Sequence, residues 1–561
     1  MINHCMKCFG TLGIILLLAQ LSEAEVRVAR IFGDNMVLQQ KCKNAVWGWA
    51  EPGEKVTVTA SWGAKSSAKA GGDGRWRVFL ETPGQGTGYQ VTVVAKSTLT
   101  IKNVAVGEVW LCAGQSNMGW STANTFSADS ETNVDLPNLR IFKSQREHWH
   151  QPLEQSRDRL QQWKICNAQT AAETSAVAYH FAKVLHQRLG IPVGIIVQAY
   201  AGTPIEGWMP WEIQQQDLRT IEYKNSLDSN AQRRMDQRGE TGEKALAQFR
   251  IDLELYNEKI DAGQTMKNPF RLLQPPFITK PATMGHQYPA HIYNAMIHPV
   301  RPYGIRGMIW YQGERNSKNA PQADHYRSQL TRLIGYYRTS WHRLSNGNVP
   351  ADFPVQFTQL PSWHAGQTDP VEGLEAPWAV NRESMRLVDR DIPKTGMVVS
   401  IDTGDAVQLH PKNKKPLGIR HALLALGGTY NKEIVGKGPR YRSHQLREGE
   451  MVLDFDSIGS GLMPARPGLM DSFAIAGKDR KWHWGKARIQ GTKVFVSSQA
   501  VAKPLAVRYA WAMNPSQRNL LYNKEGLPAS PFRTDRWPLY EPGGATVTVS
   551  KPVKPDGYQA S

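Results

Sequence analysis

Hydrophobic and polar positions divide the chain into three textures. From Val26 to about Lys102 they alternate in short runs, "NAVWGWAEPGEKVTVTASWG", "GGDGRWRVFLETP" and "GYQVTVVAKSTLTIKNV". Pro-Gly, Asp-Gly and Gly-Gly breaks fall every eight to twelve residues or so, the pattern of a small antiparallel sandwich. This predicts an N-terminal β-sandwich-like module over residues 25–104. From Gly107 apolar runs alternate with helical stretches. The strand candidates are "EVWLCA", "PVGIIVQA", "IRGMIWYQ", "PVQFTQL" and "GMVVSID"; the helix candidates are "AETSAVAYHFAKVLHQRL", "HYRSQLTRLIGYYRTSW" and "KKPLGIRHALLALGG". The helical stretches repeat apolar residues at three and four, as amphipathic helices on a sheet do. Residues 105–430 therefore read as an α/β domain, a parallel sheet with helices on both faces. Residues 212–285 interrupt it with a charged, helix-prone run and a proline-rich run, read as an insertion of one helix and a long loop on the active-site side. From 431 to 561 short β-like runs return, as a separate C-terminal β-sandwich-like module or as strands completing the N-terminal one.

Composition changes this picture little. With 561 residues, 41% of them hydrophobic and 21% charged, the chain has ample material for two or three globular domains. The start, "MINHCMKCFGTLGIILLLAQLSEA", has a basic residue at Lys7, an apolar run from about Phe9 to Leu21, and small residues at Ser22 and Ala24. Residues 1–24 are expected to be a signal peptide cleaved after Ala24. The apolar run is shorter than the roughly 20 residues a spanning helix needs, and no later stretch is apolar enough to cross a bilayer. The mature protein is expected to be secreted or periplasmic. Cys42, Cys112 and Cys166 then remain of the five cysteines. This is no disulfide framework and has no metal-ligand spacing, though an oxidising compartment would permit one bridge. The formal charge of +18 would suit anionic partners. The basic residues are scattered and no nucleic-acid motif is present, so no nucleic-acid partner is expected.

Four fragments carry candidate chemistry, each at the end of a strand, where open parallel sheets gather their reactive groups. Ser116 follows "EVWLCAGQ" in a small-residue turn that exposes a hydroxyl beside backbone amides, although the Gly-x-Ser-x-Gly elbow is absent. Gly202, in "QAYAGTPIEGWMP", can bring its amide close to a ligand without Cβ interference. Gln312, in "IWYQGERN", carries an amide that can donate to an oxyanion without titrating, and Glu314 beside it could orient another side chain. His410 precedes Pro411, and an imidazole is the natural general base for a serine. Each fragment alone reads more readily as an ordinary structural feature. Together they supply a nucleophile, a base and oxyanion donors.

In sequence order, Gly114-Gln115-Ser116-Asn117-Met118, Gly202-Thr203-Pro204-Ile205-Glu206-Gly207-Trp208, Tyr293-Asn294-Ala295-Met296-Ile297, Trp310-Tyr311-Gln312-Gly313-Glu314-Arg315-Asn316 and His410-Pro411-Lys412-Asn413-Lys414 resemble the sialate O-acetylesterase family, within the SGNH hydrolases. The closing stretch from Val507 to Trp537 is similar too, so the resemblance covers nearly all of the mature chain. It implies an SGNH-hydrolase-like sheet flanked by the two β modules. It also implies Ser116 as nucleophile, His410 as base, and an oxyanion hole from the amides of Ser116 and Gly202 with the Gln312 side chain. Glu314 and Asn316 would support these groups. The reaction would be hydrolysis of an O-acetyl ester through an acetyl-enzyme, with neither metal nor organic cofactor.

One position departs from the pattern. SGNH enzymes commonly carry the triad aspartate three residues before the histidine, and Val407 stands there. Asp405 is the first alternative, with Glu314 or a backbone carbonyl as the others; if Asp405 is the acid, Asp405→Asn should cost at least about tenfold in turnover. The substrate is expected to be an O-acetylated carbohydrate. Sialic acid has a carboxylate that Arg315 or Arg382 could meet, and xylan or another acetylated polysaccharide is the alternative. A non-catalytic carbohydrate-binding relic of the fold, or a peptidase or lipase, would be the competing classes.

Overall fold

The computed structural model describes residues 25–238, 241–264, 285–552 and 554. The expected signal peptide and the proline-rich run over 268–284 lie outside the described residues. In the N-terminal region Lys43–Trp49 pairs antiparallel with Arg75–Glu81 and Arg27–Val28, while Lys55–Ala60 pairs with Lys65–Lys69 and Gly86–Val94. The period-two pattern works as expected: Val56 and Val58, and Trp76, Val78 and Leu80, all point inward while their neighbours face solvent.

The junction with the next region is a single strand. Strand β1, Thr98–Gly114, begins half exposed and pairs antiparallel with Gly86–Val94; from Val104 it is buried on both sides. It then becomes the centre of a parallel sheet with β2 (Asp135–Lys143), β3 (Trp163–Asn167), β4 (Val193–Ala199), β5 (Gly307–Tyr311), β6 (Val355–Thr358) and β7 (Thr395–Val398). The order is β3-β2-β4-β1-β5-β6-β7, with only β3 antiparallel within it. The backbone ladder thus runs unbroken from the N-terminal strands into the sheet that carries the site. β2 and β3 have no counterpart among the expected strands: β2 opens "DLPN", whose Pro and Asn are poor strand formers, and its apolar run is only Leu139 to Phe142 with Arg140 inside it.

Helices cover both faces. On one side α2 (Ala176–Leu189) and α7 (Lys415–Gly428) pack Phe181, Leu185, Leu417 and Leu426 onto Trp110, Ile195 and Ile309. Ser175 caps α2, its hydroxyl accepting from the Ala178 amide at 3.2 Å. On the other, α5 (Ala320–Leu344) lays Tyr326, Leu330, Leu333 and Tyr337 against Met308, Trp310 and Phe357. Each such fully buried side chain stabilises by about 1.5–3 kcal/mol. α6 (Pro377–Asp391) packs on α5. The insertion holds two helices, α3 (Leu218–Arg238) and α4 (Thr241–Asp261), rather than one. The charged, helix-prone run spans the end of α3 and all of α4, whose buried residues among those described are Leu246, Phe249 and Tyr256.

Of the C-terminal strands, from Arg440–Arg447 to Phe532–Arg533, seven form their own antiparallel sheet, separate from the N-terminal strands, and Leu462–Pro464 pairs with Leu521–Asn523 in a second, two-stranded one. Their core takes in Val399 and Ile401, just beyond β7. Cys42, Cys112 and Cys166 are free thiols. No helix among the described residues is long and apolar enough to cross a membrane.

Candidate active site

Ser116 opens α1 (Ser116–Gly119), directly after β1. The chain can turn there because Gly114 has φ 149°, and a Cβ on it would lie 2.1 Å from the Tyr311 carbonyl oxygen of β5. The Gly114 carbonyl accepts from the Tyr200 amide at 3.0 Å, which sets the loop after β4 beside the serine turn. In that loop Gly202 has φ 72°; the Thr203 hydroxyl donates to the Tyr200 carbonyl and accepts from the Trp208 indole. Among the described residues neither the Ser116 nor the Gly202 amide is committed to an acceptor. Both remain available to an oxyanion.

Asn117, the residue after the serine, is fully buried and joins three elements. Its amide nitrogen donates to the Leu409 carbonyl at 3.2 Å and to the Glu314 carboxylate, and its oxygen accepts from Lys414 Nζ at 2.6 Å. The bond to Leu409 makes Ser116 and His410 flanking neighbours of one contact. The His410 ring stacks on Trp120, centroids 4.9 Å apart and planes 22° from parallel. Lys414 is buried, its ammonium 5.5 Å from the centre of the Tyr311 ring. Desolvation pushes this lysine down to about 7 even with Glu314 opposing, and it pushes the Glu314 carboxyl up. Burial, and then the Lys414 charge, lower the His410 imidazole to about 4. His410 is therefore unprotonated near neutrality, the state a general base requires.

Three expected roles change. Gln312 is not placed to serve an oxyanion: its amide nitrogen spends its hydrogens on the Thr203 carbonyl at 3.1 Å and on Asn316 Oδ1 at 2.8 Å. Its oxygen accepts from the Tyr326 hydroxyl at 2.8 Å. A carboxamide with no exposed surface must satisfy its polar atoms internally, and this one does so by holding the Gly202 loop. Asn316 supports the same loop, accepting from the Ile205 amide and donating to Glu206. Asp405 is the second. Its Oδ1 accepts from the Val407 and Gln408 amides, both at 2.7 Å, forming the turn that leads to His410. The Glu314 carboxylate is in turn engaged by Asn117. Arg382 is not a substrate contact either. Buried completely, it donates to the carbonyls of Leu360, Pro361, Ala512 and Met513, tying α6 to the C-terminal region. Arg315 stays partly exposed at the site.

Asn117 and Lys414 lie inside the motifs, yet the sequence alone assigns them no role. Their signal is only that a polar residue follows the serine and a lysine follows the histidine by four. That the two meet depends on α7 returning to the end of β1.

A mixed sheet wrapped by helices, with its candidate groups at the carboxyl ends of β1, β4 and β5, defines an SGNH-hydrolase-type α/β fold bearing additional β-sheet regions. The comparisons carry this further. The carbohydrate esterase, sialic acid-specific acetylesterase family matches residues 106–238 and 280–424. A carbohydrate acetylesterase from Xanthomonas citri is similar at 30% identity and a TM-score of 0.73, over 91% of this chain and 100% of that one. Sialate O-acetylesterase of Mus musculus is 26% identical over 92% of this chain and 96% of the relative, and that of Homo sapiens 24% identical over 90% and 92%. The chain belongs to the sialate O-acetylesterase family of carbohydrate esterases, hydrolases acting on ester bonds.

Proposed function

We propose that this protein is an exported carbohydrate O-acetylesterase, acting on sialate or another O-acetylated sugar, in which Ser116 is the nucleophile. The observation that carries the reading is the Asn117 bond to Leu409, which ties the residue after Ser116 to the residue before His410. Ser116 Oγ attacks the acetyl carbonyl carbon as His410 takes its proton, and the two amides receive the developing oxyanion. The ester C–O bond then breaks, the proton passes to the departing sugar oxygen, and an acetyl-serine remains. Water, deprotonated by His410, releases acetate and restores the serine. Trp120 stacking and the clamp on Leu409 help to hold the imidazole in place. Export rests on the apolar run and small residues within 1–24, and the exported product is expected to begin at Glu25.

The test is acetate release by the purified mature protein and its Ser116→Ala variant, on O-acetylated sialic acid and acetylated xylan side by side. Release by wild type and none by the variant is the expected result. Release by both would remove Ser116 from the chemistry, and release by neither, from these or from para-nitrophenyl acetate, would favour a binding protein.

A further inference from the structure

A cavity of about 470 Å³ opens between α3 of the insertion and the loops after β4 and β5. That volume is in the range that holds a small molecule. Arg219 of α3, Arg315 and Lys318 line it, together with Pro204, Asn316 and His325. The cations are held by neutral groups: Arg315 donates to Gln287 Oε1 at 2.6 Å and contacts the Tyr223 hydroxyl, and Arg219 donates to the Pro321 carbonyl at 2.8 Å. Among the described residues none of the three is in an ion pair. Two carboxylates also line the cavity. Glu206 has both oxygens engaged, by Gln329 and Asn316, and Glu222 is exposed on α3. Burial lowers His325 from its ordinary value, so it adds no charge near neutrality. Three cations against two carboxylates leave one net positive charge, which suits a monoanion better than a phosphate dianion.

The cavity shares a wall with the reacting centre. The Arg315 amide lies 3.4 Å from Gln115 Oε1, and the nitrogen of that same carboxamide lies 3.5 Å from Ser116 Oγ. We propose that this cavity is a carboxylate subsite, seating the acid group of a sialate or uronate sugar whose acetyl ester lies at Ser116. The subsite rests on Ser116 being the reacting centre, but its charge requirement can be measured without turnover. Guanidinium groups meet a carboxylate with paired donors. The inserted helix supplies one of them, so the insertion selects for charge on the sugar.

The experiment is calorimetric titration of the Ser116→Ala protein with N-acetylneuraminic acid, glucuronic acid and the methyl ester of each, the esters removing only the charge. At least one acid should bind at least about tenfold more tightly than its ester. The acid that does so identifies the sugar class. Adding Arg219→Gln and Lys318→Gln, both exposed positions, should erase that difference. Equal binding of acid and ester, no binding of either acid at millimolar concentration, or an acid preference that survives the double replacement overturns the subsite. Failure of the esterase reading has a different signature: wild type releases no acetate from para-nitrophenyl acetate, whatever the sugars do.

Discussion

Lys414→Met removes the cation behind His410 at nearly constant buried volume. The imidazole stands at about 4 for two reasons, burial first and the Lys414 charge second. Only the second is lost in the variant, so its histidine should titrate above 4 and below the ordinary value of roughly 6.5. A general base must be unprotonated, so the acid limb of kcat/KM moves to higher pH by the same amount. On the descending limb, a histidine that titrates one pH unit higher costs about tenfold in rate, and full recovery of the ordinary value would cost about 30-fold at pH 5. At pH 8 the pH-dependent difference should vanish, because a histidine titrating between about 4 and roughly 6.5 is unprotonated there in both proteins. A residual loss independent of pH would report the missing donor to Asn117. The assay is acetate release from pH 4 to pH 8, with far-ultraviolet circular dichroism to show that the variant is folded. An acid limb that stays where wild type has it would refute the coupling. Stability gives a second readout with the same sign. His410 and Lys414 both bind protons less readily folded than unfolded. The unfolded chain therefore holds more protons between about 4 and 6.5 for the histidine, and between about 7 and the ordinary lysine value for Lys414. Stability should rise with pH through each window, and Lys414→Met should flatten the upper one.

Asp405→Asn keeps the oxygen that accepts from Val407 and Gln408, so turnover should fall by less than about threefold instead of the tenfold a triad acid would show; parallel kcat measurements on the two proteins separate these outcomes. Arg382→Ala leaves four carbonyls without their buried donor, and at about 1–3 kcal/mol for each group left unsatisfied it should lower the denaturant midpoint or prevent folding, whereas a normal midpoint with altered KM would return Arg382 to the substrate.

Much of the architecture was legible because it is local. Alternation of period two marks Val56, Val58, Val78 and Leu80, and the apolar runs at Val109, Ile195 and Ile309 mark strands buried on both faces. Ser116, Gly202 and His410 were legible as candidates, since a hydroxyl, a glycine and an imidazole in short turn-like stretches can be read from the residues alone. The roles of Gln312, Asp405 and Arg382 were not. A carboxamide, a carboxylate or a guanidinium serves substrate or structure according to which carbonyls and amides the fold brings within about 3 Å, and those partners lie far away in the chain. Gln312 meets Thr203, 109 residues earlier, and Arg382 meets Met513, 131 later. The sequence by itself determined the strand-helix order, the burial pattern and the inventory of reactive groups. Only the tertiary structure decided which of those groups are spent on holding loops, which cations face the cavity outside any ion pair among the described residues, and that Asn117 and Lys414 stand behind the histidine, because hydrogen bonding and desolvation depend on distance in space.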